Sequence, residues 1–206
     1  MWALVEDNTI TKIINQPRGM VIGDTQYSRN IFSFRWSNAE REAIGLYEIV
    51  FDNSKKKEEE YYINTNQTFT YDADAGTVTA TYGNATARAH ADANATDADG
   101  NDLDPVIVIE GLKTIKIRNI KSQAANILAE TDWYIVRKAD AGTAVPSAIT
   151  THRAAVRTKC AEMETAITNA SDTPALETLY TYVNTADEGD PVVMERPLGE
   201  LPTLES

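Results

Sequence analysis

The chain has 206 residues, of which 42% are hydrophobic and 8% aromatic, room for one medium domain or two small ones with modest cores. Nineteen basic residues against 31 acidic ones leave a net charge of −12, which argues against a large role in holding phosphate backbones and suits solubility or a basic partner. Cys160 stands alone and so excludes an internal disulfide, and no aliphatic run approaches the roughly 18 residues of a membrane span.

The amino terminus, Met1 to Val5 followed by Glu6 and Asp7, lacks the basic start and long apolar middle of a secretory signal. The chain is therefore expected to be a soluble product made without one. Residues 2–14 read as a β-hairpin, because two β-prone runs flank Asp7 and Asn8, types that tolerate positive φ in a two-residue turn. Pro17, Gly19 and Gly23 then break regular structure. Ile31, Phe32, Phe34 and Trp36 form an aromatic cluster that is either core or contact surface. Ser37 and Glu40 match a capping box, which predicts a short helix over 38–44 closed by Gly45, and a strand follows at 46–51.

Residues 55–60, KKKEEE, carry no net charge and read as a solvated loop rather than a docking patch. Two further β-prone stretches, 61–64 and 68–71, lead through a turn at Gly76 into 77–82, a second hairpin. Residues 1–83 are thus expected to be a small β-rich domain with one short helix. From 84 to 105 the composition shifts to Ala, Asp, Asn and Thr with no aromatic, which reads as an acidic linker or long loop. Its aspartates invite a calcium reading. Placing Gly100 at the sixth position of an EF-hand loop leaves Ala95 and Val106 where carboxylates are required, so the motif fails. Only a looser cation site at Asp97, Asp99, Asn101 and Asp102 stays open.

Residues 106–184 read as a three-helix module. A helix over 113–130 shows Ile117, Ile120, Ala124, Ile127 and Leu128 at three- and four-residue spacing. Thr131, Asp132 and Trp133 are expected to end it, with 134–136 as a short strand or strap and Gly142 in a loop. Pro146 suits the first turn of the next helix, 147–169. There Ile149, His152, Val156, Cys160, Met163 and Ile167 advance by 3.6 residues on average, the period of a straight globular helix. Thr173 and Pro174 open the third helix, with Leu176, Leu179, Tyr180 and Val183 on one face. Residues 185–206 hold Pro191, Pro197 and Pro202 among acids, yet also Val192, Val193, Met194, Leu198, Leu201 and Leu204. An extended arm docking on a neighbouring chain is the preferred reading, against plain disorder.

Catalytic signatures are wanting. Two histidines, His90 and His152, and one cysteine give no zinc spacing, and no serine sits in a G-x-S-x-G elbow. No phosphate loop occurs either. Cys160 is expected as a buried structural thiol, and His152 as a buried or interface histidine bonded to a neighbour. The four N-x-[ST] triplets, at Asn66, Asn84, Asn94 and Asn169, are read as chance.

Residues 111–157 carry a pattern of their own. A helix with Lys and Ala leads into Leu128, Ala129, Thr131, Asp132 and Trp133. Arg137 and Lys138 follow, then a loop to Pro146 and a helix beginning with Ile149, His152 and Arg153. This pattern resembles the carboxy-terminal module of tailed-phage proteins labelled tail fibre, tail-fibre assembly or virion structural proteins. His152 stands where Tyr is commoner. The run at 37–51 and the first hairpin also look like the front of such proteins.

The resemblance implies a non-enzymatic structural component of a tailed-bacteriophage virion, in the tail, baseplate or fibre attachment. Such a chain is made in the bacterial host cytoplasm, carries no cofactor or metal and contacts neither nucleic acid nor membrane. Its partners would be other tail or virion proteins, within a symmetric assembly of like copies. An assembly chaperone that leaves the particle is the alternative, and a receptor- or glycan-binding module the second. Within the motif Trp133 is expected to seal the gap between helices, with Arg137 or Arg153 over its face or paired with Asp132. Trp2, Phe34, Trp36, Val192, Val193, Leu198 and Leu201 are the candidate contact surface.

Overall fold

The computed structural model describes residues 1–204 and is of mixed α+β class, its strands concentrated in the first half and its longer helices in the second. The chain divides into two compact units, 1–86 and 87–206. Sequence composition puts the division a few residues earlier, at the change of character after 83.

In the first unit β1 (Trp2–Glu6) and β2 (Thr9–Ile14) form the expected hairpin. Asp7 and Asn8 hold φ of 49° and 59°, the left-handed pair that lets a two-residue turn follow the strand twist. β3 (Met20–Ile22) and β4 (Thr25–Tyr27) make a second small ribbon. A single 3-10 turn at Arg29–Phe32 and then α1 (Asn38–Glu42) follow. The capping box is present: Ser37 Oγ accepts from Glu40 N, and the Glu40 carboxylate accepts from Ser37 N at 2.8 Å. Helix α1 stops two residues sooner than expected, and Ala43 caps it.

Strand β5 (Leu46–Asp52) runs into the sheet, followed by β6 (Tyr62–Ile63), β7 (Thr68–Asp72), β8 (Thr77–Thr81) and β9 (Thr86–Ala87). The main sheet has the order β2-β1-β5-β8-β7, antiparallel except for the β5–β8 pair.

Side chains alternate across this sheet, and both faces are covered. On one face Leu4, Ile14 and Leu46 meet Met20 and Ile31. On the other lie Ala3, Val5, Ile49, Val78 and Ala80, and the edge strands β2 and β7 come together across it. There the Tyr47 and Tyr71 hydroxyls lie 3.0 Å apart. That hydrogen bond, with burial second, pushes the Tyr47 phenol up to about 12. Gly45, at φ +79°, joins α1 to β5 so closely that an added Cβ would sit 2.4 Å from the Val5 carbonyl oxygen.

The second unit opens not with a linker but with folded chain. β10 (Ala93–Asn94) pairs with β11 (Val108–Ile109), and Thr96 bridges Asp102. Asp92 accepts from Gly111 N at 2.7 Å and Thr114 Oγ1 at 2.9 Å, so a side chain from nineteen residues upstream caps the next helix. Gly111 is required there, because a Cβ would meet the Ala91 backbone at 2.3 Å. Low apolar content hid this order, since the segment is held by hydrogen bonds rather than by a core.

Helices α2 (Leu112–Ala129) and α4 (Ser147–Asn169) lie antiparallel, tied by Lys113 Nζ to Thr168 O at 2.7 Å near one end and Arg153 to Leu128 O at 2.6 Å near the other. The whole predicted stripe of α4, from Ile149 to Ile167, is buried. In α2, Leu112, Lys116, Ile120 and Ala124 are buried, and Ile117 is half-buried. The ammonium of Lys116 lies 4.1 Å from the Tyr180 ring centre.

Between α2 and α4 stands a helix the sequence reading missed, α3 (Asp132–Ala141). Glu130 and Thr131 therefore separate two helices, Asp132 opens the second, and 134–136 is not a strand. α5 (Thr173–Tyr180) is capped by Asp172 rather than Thr173, with Pro174 at its second position. Pro146 likewise precedes α4 as its cap instead of filling its first turn. The module therefore has four helices, not three.

The tail folds back on its own unit. β12 (Val183–Asn184) pairs with β13 (Met194–Glu195), Leu198 N–H donates to Leu179 O, and Leu201 packs on Ala124, Val156 and Cys160. The extended arm is thus overturned for Leu198 and Leu201, which fill this chain's own core. Apolar residues there signalled burial, but not against whom.

Gly45→Ala is expected to cost at least about 2 kcal/mol in urea unfolding, from a left-handed φ and a backbone clash together. Tyr47 contributes stability in full below its unfolded pKa of 10, and this is lost as pH rises to about 12. Unfolding midpoints measured from pH 9 to 12 should therefore fall less steeply in Tyr47→Phe than in the natural chain.

Candidate functional site

The feature with the densest chemistry is the corner where α2 turns into α3 over the first half of α4. α2 ends at 129 and leaves carbonyls without helical partners. Arg153, buried on α4, supplies the donors: Nη1 donates to Leu128 O at 2.6 Å and to Thr131 Oγ1 at 2.7 Å. Thr131 Oγ1 also donates to Leu128 O at 3.1 Å. The other amino group of Arg153 meets the Asp132 carboxylate at 2.8 Å. One guanidinium therefore closes α2 and fixes the first residue of α3. A planar five-donor group fits such a corner, and an ammonium would not.

Asp132 in the first turn of α3 faces the favourable end of its dipole, and Gly142, at φ 69°, closes the other end with its N–H on Lys138 O. Acid first and glycine last were the available signals for this helix. They were outweighed by the β-forming run of Trp133, Tyr134, Ile135 and Val136.

Trp133 does not seal the helices. It is half exposed, and stacks instead on Tyr134, with the Arg137 guanidinium 4.7 Å from its ring centre and 5.4 Å from that of Tyr134. Of the two pairings expected for the motif, Arg137 takes the ring and Arg153 takes Asp132. α3 has no buried residue, and Trp133, Ile135 and Val136 all stand exposed. Pro146 lies at the start of α4, clear of this chemistry.

The remaining candidates separate. Trp2 packs edge-on against Phe32 at 4.9 Å and Trp36 against Tyr27 at 6.0 Å, both on the covered face of the sheet. Arg41 fixes the loop between them, donating to the carbonyls of Ile31, Ser33 and Trp36. Only Phe34, at its tip, is free to touch a partner, with 94% of its surface exposed. Val192 and Val193 are exposed, whereas Leu198 is buried and Leu201 half-buried.

Asp97, Asp99, Asn101 and Asp102 meet in a turn, and the carboxylates of Asp97 and Asp102 serve its hydrogen bonds. The Asp97 carboxylate accepts from the N–H groups of Asp99 and Asn101, chiefly the latter, which holds its pKa below the usual range. Asp102 accepts from Asn94. Among the described residues no group of three or more His, Cys, Asp or Glu could hold a metal ion.

Cys160 is buried, and burial, then Glu164, pushes its thiol pKa up. His152 is buried too, but its Nε2 has no hydrogen-bond partner among the described residues. A hollow of about 380 Å3 in the first unit is lined by Ile13, Ile14, Asn15, Gln16, Pro17 and Arg18, which offer no acid, base or nucleophile in array. No helix among the described residues is long and apolar enough to cross a membrane.

Comparison with family models, with curated proteins and with solved structures finds no match to this chain. Its class therefore rests on its own geometry: two α+β units, one arginine-locked helical corner and several uncovered apolar surfaces.

Arg153→Met should lower the stability of the helical unit by about 3 kcal/mol, since it strips donors from buried acceptors. Trp133→Ala should cost less than about 1 kcal/mol, the scale of an exposed cation–π contact. Urea unfolding followed by circular dichroism at the helix band reads both, and the reverse order would restore Trp133 as the seal.

Proposed function

We propose that the chain is a structural component of a tailed-bacteriophage virion and works by protein–protein contact in the tail, baseplate or fibre attachment. The observation that carries the reading is the resemblance at 111–157. Three of its elements in this chain, Thr131, Asp132 and Arg153, are the same residues that lock the corner. Support also comes from α3, whose Trp133, Ile135 and Val136 present apolar surface on a rigid mount. Surface of that kind suits a subunit contact better than free solvent. Phe34 and the exposed Val192 and Val193 add further contact points.

Nothing in this reading requires a reaction, a metal or a cofactor. The neighbours would be other virion proteins, with like copies arranged by the symmetry of the particle.

Quantitative mass spectrometry of purified particles is the test. A fixed integer copy number per particle is expected. Presence in infected cells with absence from particles would contradict the reading and favour an assembly helper that departs.

A further inference from the structure

The ribbon of β10 and β11 is unusual in what it leaves uncovered. Val106, Ile107, Val108 and Ile109 are each between 53% and 58% exposed, so both faces of the strand are apolar and open to solvent. The strand has one neighbour, β10. Ala95 N–H donates to Ile107 O at 2.7 Å, which turns the backbone of Ile107, and of Ile109 two residues on, towards β10. By the alternation of an antiparallel ladder, Val108 turns its N–H and C=O to the outer edge. β11 is only two residues long, so it is the apolar composition of the edge and the open backbone groups of Val108 that offer a further strand a place to pair.

Charge narrows what that strand can be. Residues 92–110 carry Asp92, Asp97, Asp99, Asp102, Asp104 and Glu110, with no Lys or Arg among them. Glu110 is paired with Arg118 on α2, and Asp92 is engaged as the cap of that helix. The other four aspartates stand exposed around the ribbon. The second ribbon of the unit repeats the chemistry. Tyr182, Val183, Val192, Val193 and Met194 are exposed there among Asp187, Glu188, Asp190 and Glu195, again with no base between 182 and 195. These two short stretches hold ten of the 31 acidic residues of a chain whose net charge is −12. A second copy of this chain would bring like charge to the same edge, which costs association several kcal/mol.

We propose that the outer edge of β11 is a docking site for an extended segment of a different, basic protein. That segment would be apolar and β-branched along its length and would carry Lys or Arg. It would add as a strand beside Val108, its main chain pairing with the open edge and its cations meeting the surrounding aspartates. The aspartates meanwhile keep the uncovered edge from pairing with itself, as charged flanks do beside unavoidable apolar strands. The proposal rests on reading the chain as one that acts through protein contacts, and it adds the partner's chemistry and the docking edge.

The test uses the full chain, labelled with 15N, and three acetylated twelve-residue peptides: alternating Val and Lys, alternating Val and Glu, and alternating Gly and Lys. The Val/Lys peptide should bind at least about tenfold more tightly than either control, a difference of about 1.4 kcal/mol. Amide shifts should concentrate on residues 106–110. Val108→Lys should weaken that binding at least about tenfold. Should this substitution disturb the ribbon itself, Asp99→Lys at the exposed tip reads the charge contribution alone and should weaken binding several-fold.

Equal binding of the Gly/Lys peptide would overturn the proposal, because charge alone would then account for it. So would shifts centred elsewhere, or concentration-dependent shifts at 106–110 in the absence of peptide, which would make the occupant a second copy. A chain found in particles that ignores the Val/Lys peptide contradicts this inference only. One that binds it but is missing from particles contradicts the virion reading only.

Discussion

The carboxy-terminal unit depends on the placing of one buried guanidinium. A helix that stops inside a folded unit leaves carbonyls that water cannot reach, and a second helix starting at once on the far side of the bend competes for the same space. Arg153 answers both needs from a third element. It donates to Leu128 O and Thr131 Oγ1 and pairs with Asp132, so α4 fixes the angle at which α3 leaves α2. Asp132 remains well exposed, and a surface ion pair alone would contribute little. The weight falls on the buried hydrogen bonds. One goes to the Leu128 backbone carbonyl and the other to the Thr131 hydroxyl, which itself donates to that carbonyl, so together they hold the bend.

The amino-terminal unit solves a related problem by the same means. Arg41 donates to three carbonyls of an irregular loop, and that loop presents Phe34 outwards while Trp2 and Trp36 pack beneath. In both units an arginine gives irregular backbone its hydrogen bonds and leaves one aromatic exposed, Phe34 in the first and Trp133 in the second. Rigid mounting lowers the entropy lost when such a group is buried by a partner, which is the physical case for treating both as contacts rather than as misplaced core.

Much of this fold was legible in the order of residues. The α4 stripe needed only the 3.6-residue period, the first hairpin only Asp7 and Asn8, and the start of α1 only Ser37 and Glu40. What failed to read had a long-range cause. α3 opens on the β-forming run 133–136, and Arg153, 21 positions after Asp132, holds its first turn. The segment from 87 to 111 lacks a core, and its order comes from Asp92, His90 Nε2 on Ala170 O and Arg88 O on Thr173. The tail's leucines signalled burial correctly, yet nothing local could say that Leu198 and Leu201 return to their own unit. The motif residues were found by pattern, while the division of labour between Arg137 and Arg153 depended on the packing of α4.

If Arg153 sets α3, then α3 is a mount, and the surface it presents is available without induced fit. Hydrogen–deuterium exchange on the full chain carrying Arg153→Lys tests this most directly, because lysine keeps the charge and removes the fork. Amides 134–141 should lose protection by at least about tenfold while those of the α2 and α4 centres keep theirs. Unchanged protection of α3, or a uniform loss across all three helices, would contradict the setting of α3 by Arg153.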